Sequence, residues 1–271
     1  MNDILRDSIA NIFSGISKNL VDITHQVTMS PSEAFGASFW TTLLNLGTTI
    51  VMPFAIAILS YFMAAELYQV YCKANGEMDL QLVSTTVFKF ILPFLLINRT
   101  YDLLKILFIQ INGVIVQIGD KVGLAAQNGS DEYVTWYNQI SGMSFLDKMA
   151  YLLQLLPLAF IMKGMGVVIM VIVYGRLFEI MLYWIFAPIP FATLIHSEFS
   201  QIGKNFIKLF AAVLLQGGFI ILCVVLYTQL IQTVAIKADM EGAWQMIGYS
   251  LLLIFMLTKT GTMSKKLLAT Y

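Results

Sequence analysis

Apolar residues along this chain fall into long runs separated by short polar breaks, and the runs lack the period-two alternation of a half-buried strand. Residues 34–65 carry no charged side chain, and 209–236 repeat the feature. Each run exceeds the roughly 20 residues that a helix needs to cross bilayer hydrocarbon. Lipid cannot satisfy open backbone groups, so such runs must be helices or closed barrels, and continuous apolar stretches select helices. The expected fold class is all-α: a polytopic transmembrane helical bundle of about five to seven spans, preceded by an N-terminal amphipathic helix.

That first helix is read from Leu5, Ile9, Ile12, Phe13, Ile16, Leu20 and Ile23, spaced by threes and fours, with Arg6, Asn11, Lys18 and Asp22 between them. It can lie in the headgroup plane or against its own bundle, or serve as a docking helix for a partner subunit. Four regions follow from the pattern: the amphipathic helix 1–30, the first transmembrane helices 31–119, a polar loop 120–148 and the C-terminal transmembrane helices 149–271. Within MSPSEAFG, Ser30 or Ser32 is a candidate cap and Pro31 suits an early helical position.

The spans are expected at 36–71, kinked at Pro53, and at 83–97, which is short and contains Lys89 and Pro93. The piece 106–119 is marginal for crossing and reads as re-entrant, interfacial or a continuation of the preceding span. Residues 149–195 hold only Lys163, Arg176 and Glu179 as charges, enough length for a hairpin of two crossings. A turn at Gly175 and Arg176 gives two adequate arms; one at Lys163, Gly164 and Gly166 leaves the first too short. Pro188 and Pro190 break the second arm. The runs 209–236 and 242–258 complete the set, closed by Lys259, Lys265 and Lys266, which place the C-terminus in the cytoplasm. The side of the N-terminus depends on whether 106–119 crosses.

Composition agrees: 58% hydrophobic, 12% charged and a mean hydropathy of +0.78, against about 25% charged in soluble domains. A formal net charge of zero leaves no basic footprint for a duplex nucleic-acid binder. Cys72 and Cys223 suggest no disulfide framework, and His25 and His196 lack the clustered ligands of a metal site, so no metal or cofactor is expected. MNDILRDSIANIF has no basic region followed by an apolar core and cleavage site, so no cleaved signal peptide is expected. There is no HExxH, no phosphate-binding GxxxxGK[ST] loop and no nucleophile elbow, and TKTGTMSKK lacks the Gly-rich cradle of a nucleotide site. The chain is expected not to be an enzyme. Its fifteen methionines and nineteen phenylalanines make adaptable apolar surface, suited to lipid and to helix packing in an assembly.

Five ionisable residues in or beside apolar runs, Glu66, Lys89, Lys163, Arg176 and Glu179, are functional candidates, because charges in lipid cost several kcal/mol unless paired, snorkelled or hydrated. Arg176 and Glu179 are three apart on one helix face, where an ion pair is available to a channel, an interface or helix packing. Lys89 and Lys163 can snorkel, line a hydrated path or pair with Glu66. Gly164 with Gly166, and Gly217 with Gly218 after Gln216, allow close helix approach with a glutamine hydrogen bond nearby.

At VYGRLFEIMLYWIFAPIPFATL, GKNFIKLFAAVLLQGGFIIL and GAWQMIGYSLLLIFMLTKTGTMSKKL the chain resembles the TrbL-type family, polytopic inner-membrane subunits of conjugative type IV secretion systems, in particular those on mobile elements of Gram-positive bacteria. The likeness rests on the ordered set Gly175, Arg176, Glu179, Pro188, Pro190, Gln216, Gly217, Thr260 and Gly261 and covers 149–271, with the N-terminal half matching in plan. The resemblance implies a non-enzymatic channel or platform subunit in the cytoplasmic membrane, helping single-stranded DNA with its relaxase, or protein substrates, to cross. It implies a homo-oligomeric ring, partner secretion subunits including extracytoplasmic ones contacted by the N-terminal helix, and separate ATPases. Two other readings stand beside it: a small-solute secondary transporter with Glu66, Lys163, Arg176 and Glu179 as a midplane site, and a scaffold that lines no path.

Overall fold

The computed structural model describes residues 23, 25–73, 80–126, 142, 144–194, 198–235 and 240–268. Most of the expected N-terminal amphipathic helix, the centre of the 120–148 loop and His196 lie outside the described residues. Every described element is helical: a segment at 25–28, then α1 (Pro31–Phe35), α2 (Ala37–Leu46), a π-helical turn (Gly47–Val51), α3 (Met52–Lys73), α4 (Leu80–Asn98), α5 (Thr100–Ala126), α6 (Phe145–Phe186), α7 (Pro188–Ala192), α8 (Ser200–Ala235) and α9 (Met240–Leu267). Five stretches are long and apolar enough to cross a membrane: Ala37–Lys73, Thr100–Lys121, Ala159–Phe186, Ser200–Ile231 and Trp244–Leu267, with Val83–Asn98 a shorter apolar helix. The protein is a polytopic helical bundle, multi-pass by this build.

Local chemistry explains the breaks. Ser30 caps α1 through a capping box: its Oγ accepts from the Glu33 N–H at 3.3 Å, and the Glu33 carboxylate accepts from the Ser30 N–H at 2.7 Å, with Pro31 in the first turn. Gly36, at φ +91°, supplies the backbone that joins α1 to α2. Near Pro53 the helix meets the missing proline N–H with the π-helical turn that precedes it, where Met52 N–H reaches Gly47 O. The hydroxyls of Thr48 and Thr49 both donate to Asn45 O, at 3.0 and 2.6 Å.

Residues 106–119 belong to α5, a 27-residue helix whose Thr100–Lys121 stretch is long and apolar enough to cross a membrane. Only Arg99 separates α4 from α5. Helical hydrogen bonds run across it, Arg99 N–H to Leu95 O and Leu103 N–H to Arg99 O, both 3.0 Å.

The expected hairpin within 149–195 is corrected: α6 runs unbroken through Lys163, Gly164 and Gly175 for 42 residues, about 63 Å at 1.5 Å per residue. Length alone invited a turn, but glycine in a membrane helix breaks nothing when every backbone bond stays within the segment. A Cβ at Gly164 or at Gly175 would meet nothing within 4 Å, so close packing explains neither. The break comes after Phe186, where Pro188 and Pro190 fall. Helices α8 and α9 also outrun the apolar runs: α8 begins at Ser200, and α9 continues past Lys259 to Leu267.

The chain divides into two units, one of residues 1–29, 112–176 and 215–264, the other of 30–111, 177–214 and 265–271. In the second, α3 packs on α4 and α7, and its core includes Ala55, Leu59, Phe90, Ile97 and Phe210 around Trp184. Trp40 meets the Trp184 ring edge-on at 5.3 Å, Phe210 edge-on at 6.0 Å and Phe108 tilted at 5.8 Å. Tyr101 donates to Ile185 O at 3.3 Å, taking up a carbonyl at the broken end of α6, and Gly47 leaves room for its phenol.

In the first unit α9 buries, beside Gly242 and Ile247, the positions Met246, Ser250, Leu253, Leu257, Thr260 and Ser264, which alternate spacings of four and three, the seam of closely paired helices. On α8, Ile220, Val224, Tyr227 and Ile231 do the same.

Gly203 measures how tightly the second unit is packed: a Cβ there would stand 2.6 Å from Pro190 O and from a Leu194 methyl. Gly203→Ala is expected to cost ~1–3 kcal/mol through backbone displacement. Gly113→Ala, where a Cβ meets nothing within 4 Å, is expected to be neutral or to gain up to ~1 kcal/mol. Unfolding of the purified variants in detergent checks both.

Candidate functional site

Polar side chains inside apolar helices mark the places where function or architecture required them. In the first unit they converge on Arg176. Helix α6 buries Met165, Ile169 and Val173 at every fourth residue, and Arg176 continues that face with 3% of its surface exposed. Its Nη1 donates to Val27 O at 2.9 Å. Gly217 on α8 makes the seat: a Cβ there would be 2.7 Å from Cζ and both terminal nitrogens of the guanidinium. From α5, Asn112 Nδ2 donates to the neighbouring Thr28 O at 2.6 Å.

One residue before Gly217, Gln216 is 8% exposed, and its Nε2 donates to Thr260 Oγ1 at 3.4 Å while Gly261 leaves space for the amide. Further along the same helix pair Tyr227 Oη and Ser250 Oγ are 3.1 Å apart. These two contacts lie 11 residues apart on α8 and 10 apart on α9, so one antiparallel register satisfies both. Each of Ser250 and Thr260 also donates to a carbonyl of its own helix, Met246 O and Leu257 O, so no hydroxyl proton is stranded.

The second unit holds the other charged group. Glu179 Oε1 accepts from Lys265 Nζ and from Tyr183 Oη, both at 2.9 Å. The side chains of Lys265 and Glu179 are 38% and 31% exposed, so solvent or headgroups screen the pair. The ion pair that spacing made available between Arg176 and Glu179 is replaced by these separate partners: a backbone carbonyl for the arginine, a lysine for the carboxylate.

Of the other candidates, Glu66 is half-buried on α3, and Lys89 and Lys163 are exposed on α4 and α6. None of the three forms an ion pair with another among the described residues. Pro53 is exposed, Pro188 is buried at the start of α7 and Pro190 is half-buried within it. Sequence reasoning missed Asn112, Tyr101, Tyr183 and the acceptor role of the Val27 and Thr28 carbonyls. An amide in the middle of the apolar run 106–119 was a usable signal for Asn112; backbone acceptors leave none. Lys265 was read only as an orientation charge.

A family model described as TrbL/VirB6 plasmid conjugal transfer like protein matches residues 16–188, nearly two thirds of the chain. The matched region contains Gly175, Arg176, Glu179 and Pro188, while Pro190, Gln216, Gly217, Thr260 and Gly261 lie beyond it. It falls mainly on the N-terminal half, where the sequence had suggested likeness in plan only. No curated protein and no solved structure matched.

The register between α8 and α9 predicts a measurable coupling. In a double-mutant cycle of Tyr227→Phe and Ser250→Ala, the interaction energy is expected near ~0.6 kcal/mol, the usual size for hydrogen bonds between membrane helices. Zero coupling by unfolding in mild detergent would count against this register.

Proposed function

The chain belongs to the TrbL/VirB6 plasmid conjugal transfer like proteins, and from that membership together with its multi-pass build we propose that it is a channel or platform subunit of a conjugative type IV secretion system. In this reading it sits in the cytoplasmic membrane and helps single-stranded DNA with bound relaxase, or protein substrates, to cross. It forms a homo-oligomeric ring, works with separate ATPases, and performs no chemistry itself. Its N-terminal helix faces extracytoplasmic partner subunits. The setting is a mobile element of a Gram-positive bacterium.

The observation that carries this reading is the family match over residues 16–188, which spans Ala37–Lys73 and Thr100–Lys121 in full and Ala159–Phe186. Lys89 and Lys163, each exposed within an apolar stretch of its helix, support it. A cation left open to lipid on a single chain is costly, and a neighbouring copy or a hydrated path would relieve that cost. The transporter reading finds less support, because Arg176 already donates to Val27 O and Glu179 already holds Lys265, so both are engaged within the protein.

Deleting the gene from its native element, with the partner ATPases still expressed, is expected to abolish transfer to recipient cells, and complementation to restore it. Unchanged transfer would overturn the proposal and make solute uptake in proteoliposomes the next assay. Replacing Lys89, Lys163, Arg176 and Glu179 together by apolar residues is expected to lower transfer at normal protein level; normal transfer would refute a role for these charges in the bundle interior or at subunit interfaces.

A further inference from the structure

The last turn of the helical segment at 25–28 cannot close on itself. His25 O receives the Met29 N–H at 3.1 Å and the Thr28 hydroxyl at 3.0 Å. The next donors along the chain fail: Ser30 N–H is committed to the Glu33 carboxylate, and Pro31, four residues after Val27, has no N–H. The Val27 carbonyl therefore lacks both of its helical donors, at the end of a segment whose Ile23 and Val27 are 3% and 1% exposed. In an apolar setting such a helix end needs outside donors, and its partial negative charge favours a cation.

We propose that Arg176 and Asn112 form a built receptor for this helix end, and that the intramembrane arginine serves to fasten the N-terminal segment to the bundle. Three observations converge on it. Arg176 meets Val27 O from α6 and Asn112 meets Thr28 O from α5, so adjacent carbonyls accept from two separate helices. Gly217 on α8 vacates the volume that the guanidinium occupies. Asn112 Oδ1 is buried without a hydrogen-bond partner among the described residues, a cost the asparagine carries while its amide holds the helix end.

The receptor reads backbone, since both acceptors are main-chain carbonyls. Side chains at 27 and 28 can therefore vary without loss of these two bonds, whereas donors at 112 and 176 cannot be removed. This inference is independent of the secretion role; it concerns how the N-terminal segment is held, whatever that segment then contacts.

Hydrogen–deuterium exchange of the full-length protein in lipid nanodiscs tests it. In Arg176→Ala, the peptide covering residues 23–29 is expected to exchange about tenfold faster, with peptides from α9 unchanged. Gly217→Ala keeps the arginine but displaces its head, and is expected to accelerate the same peptide by a smaller factor. Arg176→Lys, which retains a donor and a charge, is expected to fall between the wild type and Arg176→Ala. Unchanged exchange at 23–29 in Arg176→Ala would overturn the proposal. So would equal acceleration across α8 and α9, which would make Arg176 a general packing residue. Transfer assays do not enter this readout, so its failure is distinguishable from failure of the secretion reading.

Discussion

A helix that stops inside an apolar layer leaves carbonyls that lipid cannot satisfy, and the architecture of this protein follows from where those carbonyls go. Val27 O goes to Arg176 and Thr28 O to Asn112 in one unit; Ile185 O goes to Tyr101 in the other. Thr193 closes α7 by donating its hydroxyl to Pro190 O at 2.8 Å. In each case a proline nearby, Pro31, Pro188 or Pro190, has removed an N–H from the chain. Prolines create the breaks; polar side chains from distant helices close those at Val27, Thr28 and Ile185, and Thr193 closes α7 locally.

Seen this way, the charged residues divide by role. Arg176 is buried and bonded to backbone, and a buried polar group in that state stabilises only while its partner is present. Glu179 with Lys265 is about a third exposed and so contributes modestly. Lys89 and Lys163, like Lys105, Lys204 and Lys208, are exposed on their helices. The family membership assigns the protein to conjugal transfer; of the five candidate charges, Arg176 and Glu179 are engaged internally while Lys89 and Lys163 are exposed.

The helical, membrane-spanning class was legible because hydrophobic runs without charge leave no other solution. Ser30, Pro31, Pro188 and Pro190 were legible too, since caps and missing N–H groups act through local geometry. The hairpin at Gly175 was misread because run length counts residues that can cross, while α6 extends its 42 residues well beyond a bilayer's thickness. Gln216, Gly217, Thr260 and Gly261 were visible as a set, yet what each touches depends on helix register and on contacts tens of residues away. Main-chain acceptors such as Val27 O carry no side-chain signature at all, so Arg176 looked in sequence like a channel or ion-pair residue.

The sign of one stability change tests the account most directly. Arg176→Met removes a charge from an apolar helix, which would stabilise the protein if that charge were simply an intramembrane cost. If instead the arginine closes the end of the segment at 25–28, the substitution leaves Val27 O unpaired and costs ~1–3 kcal/mol. Lys163→Met serves as the reference for removing an exposed cation from the same helix. A lowered unfolding midpoint for Arg176→Met beside an unchanged or raised one for Lys163→Met is the predicted result; a midpoint raised by both would contradict it.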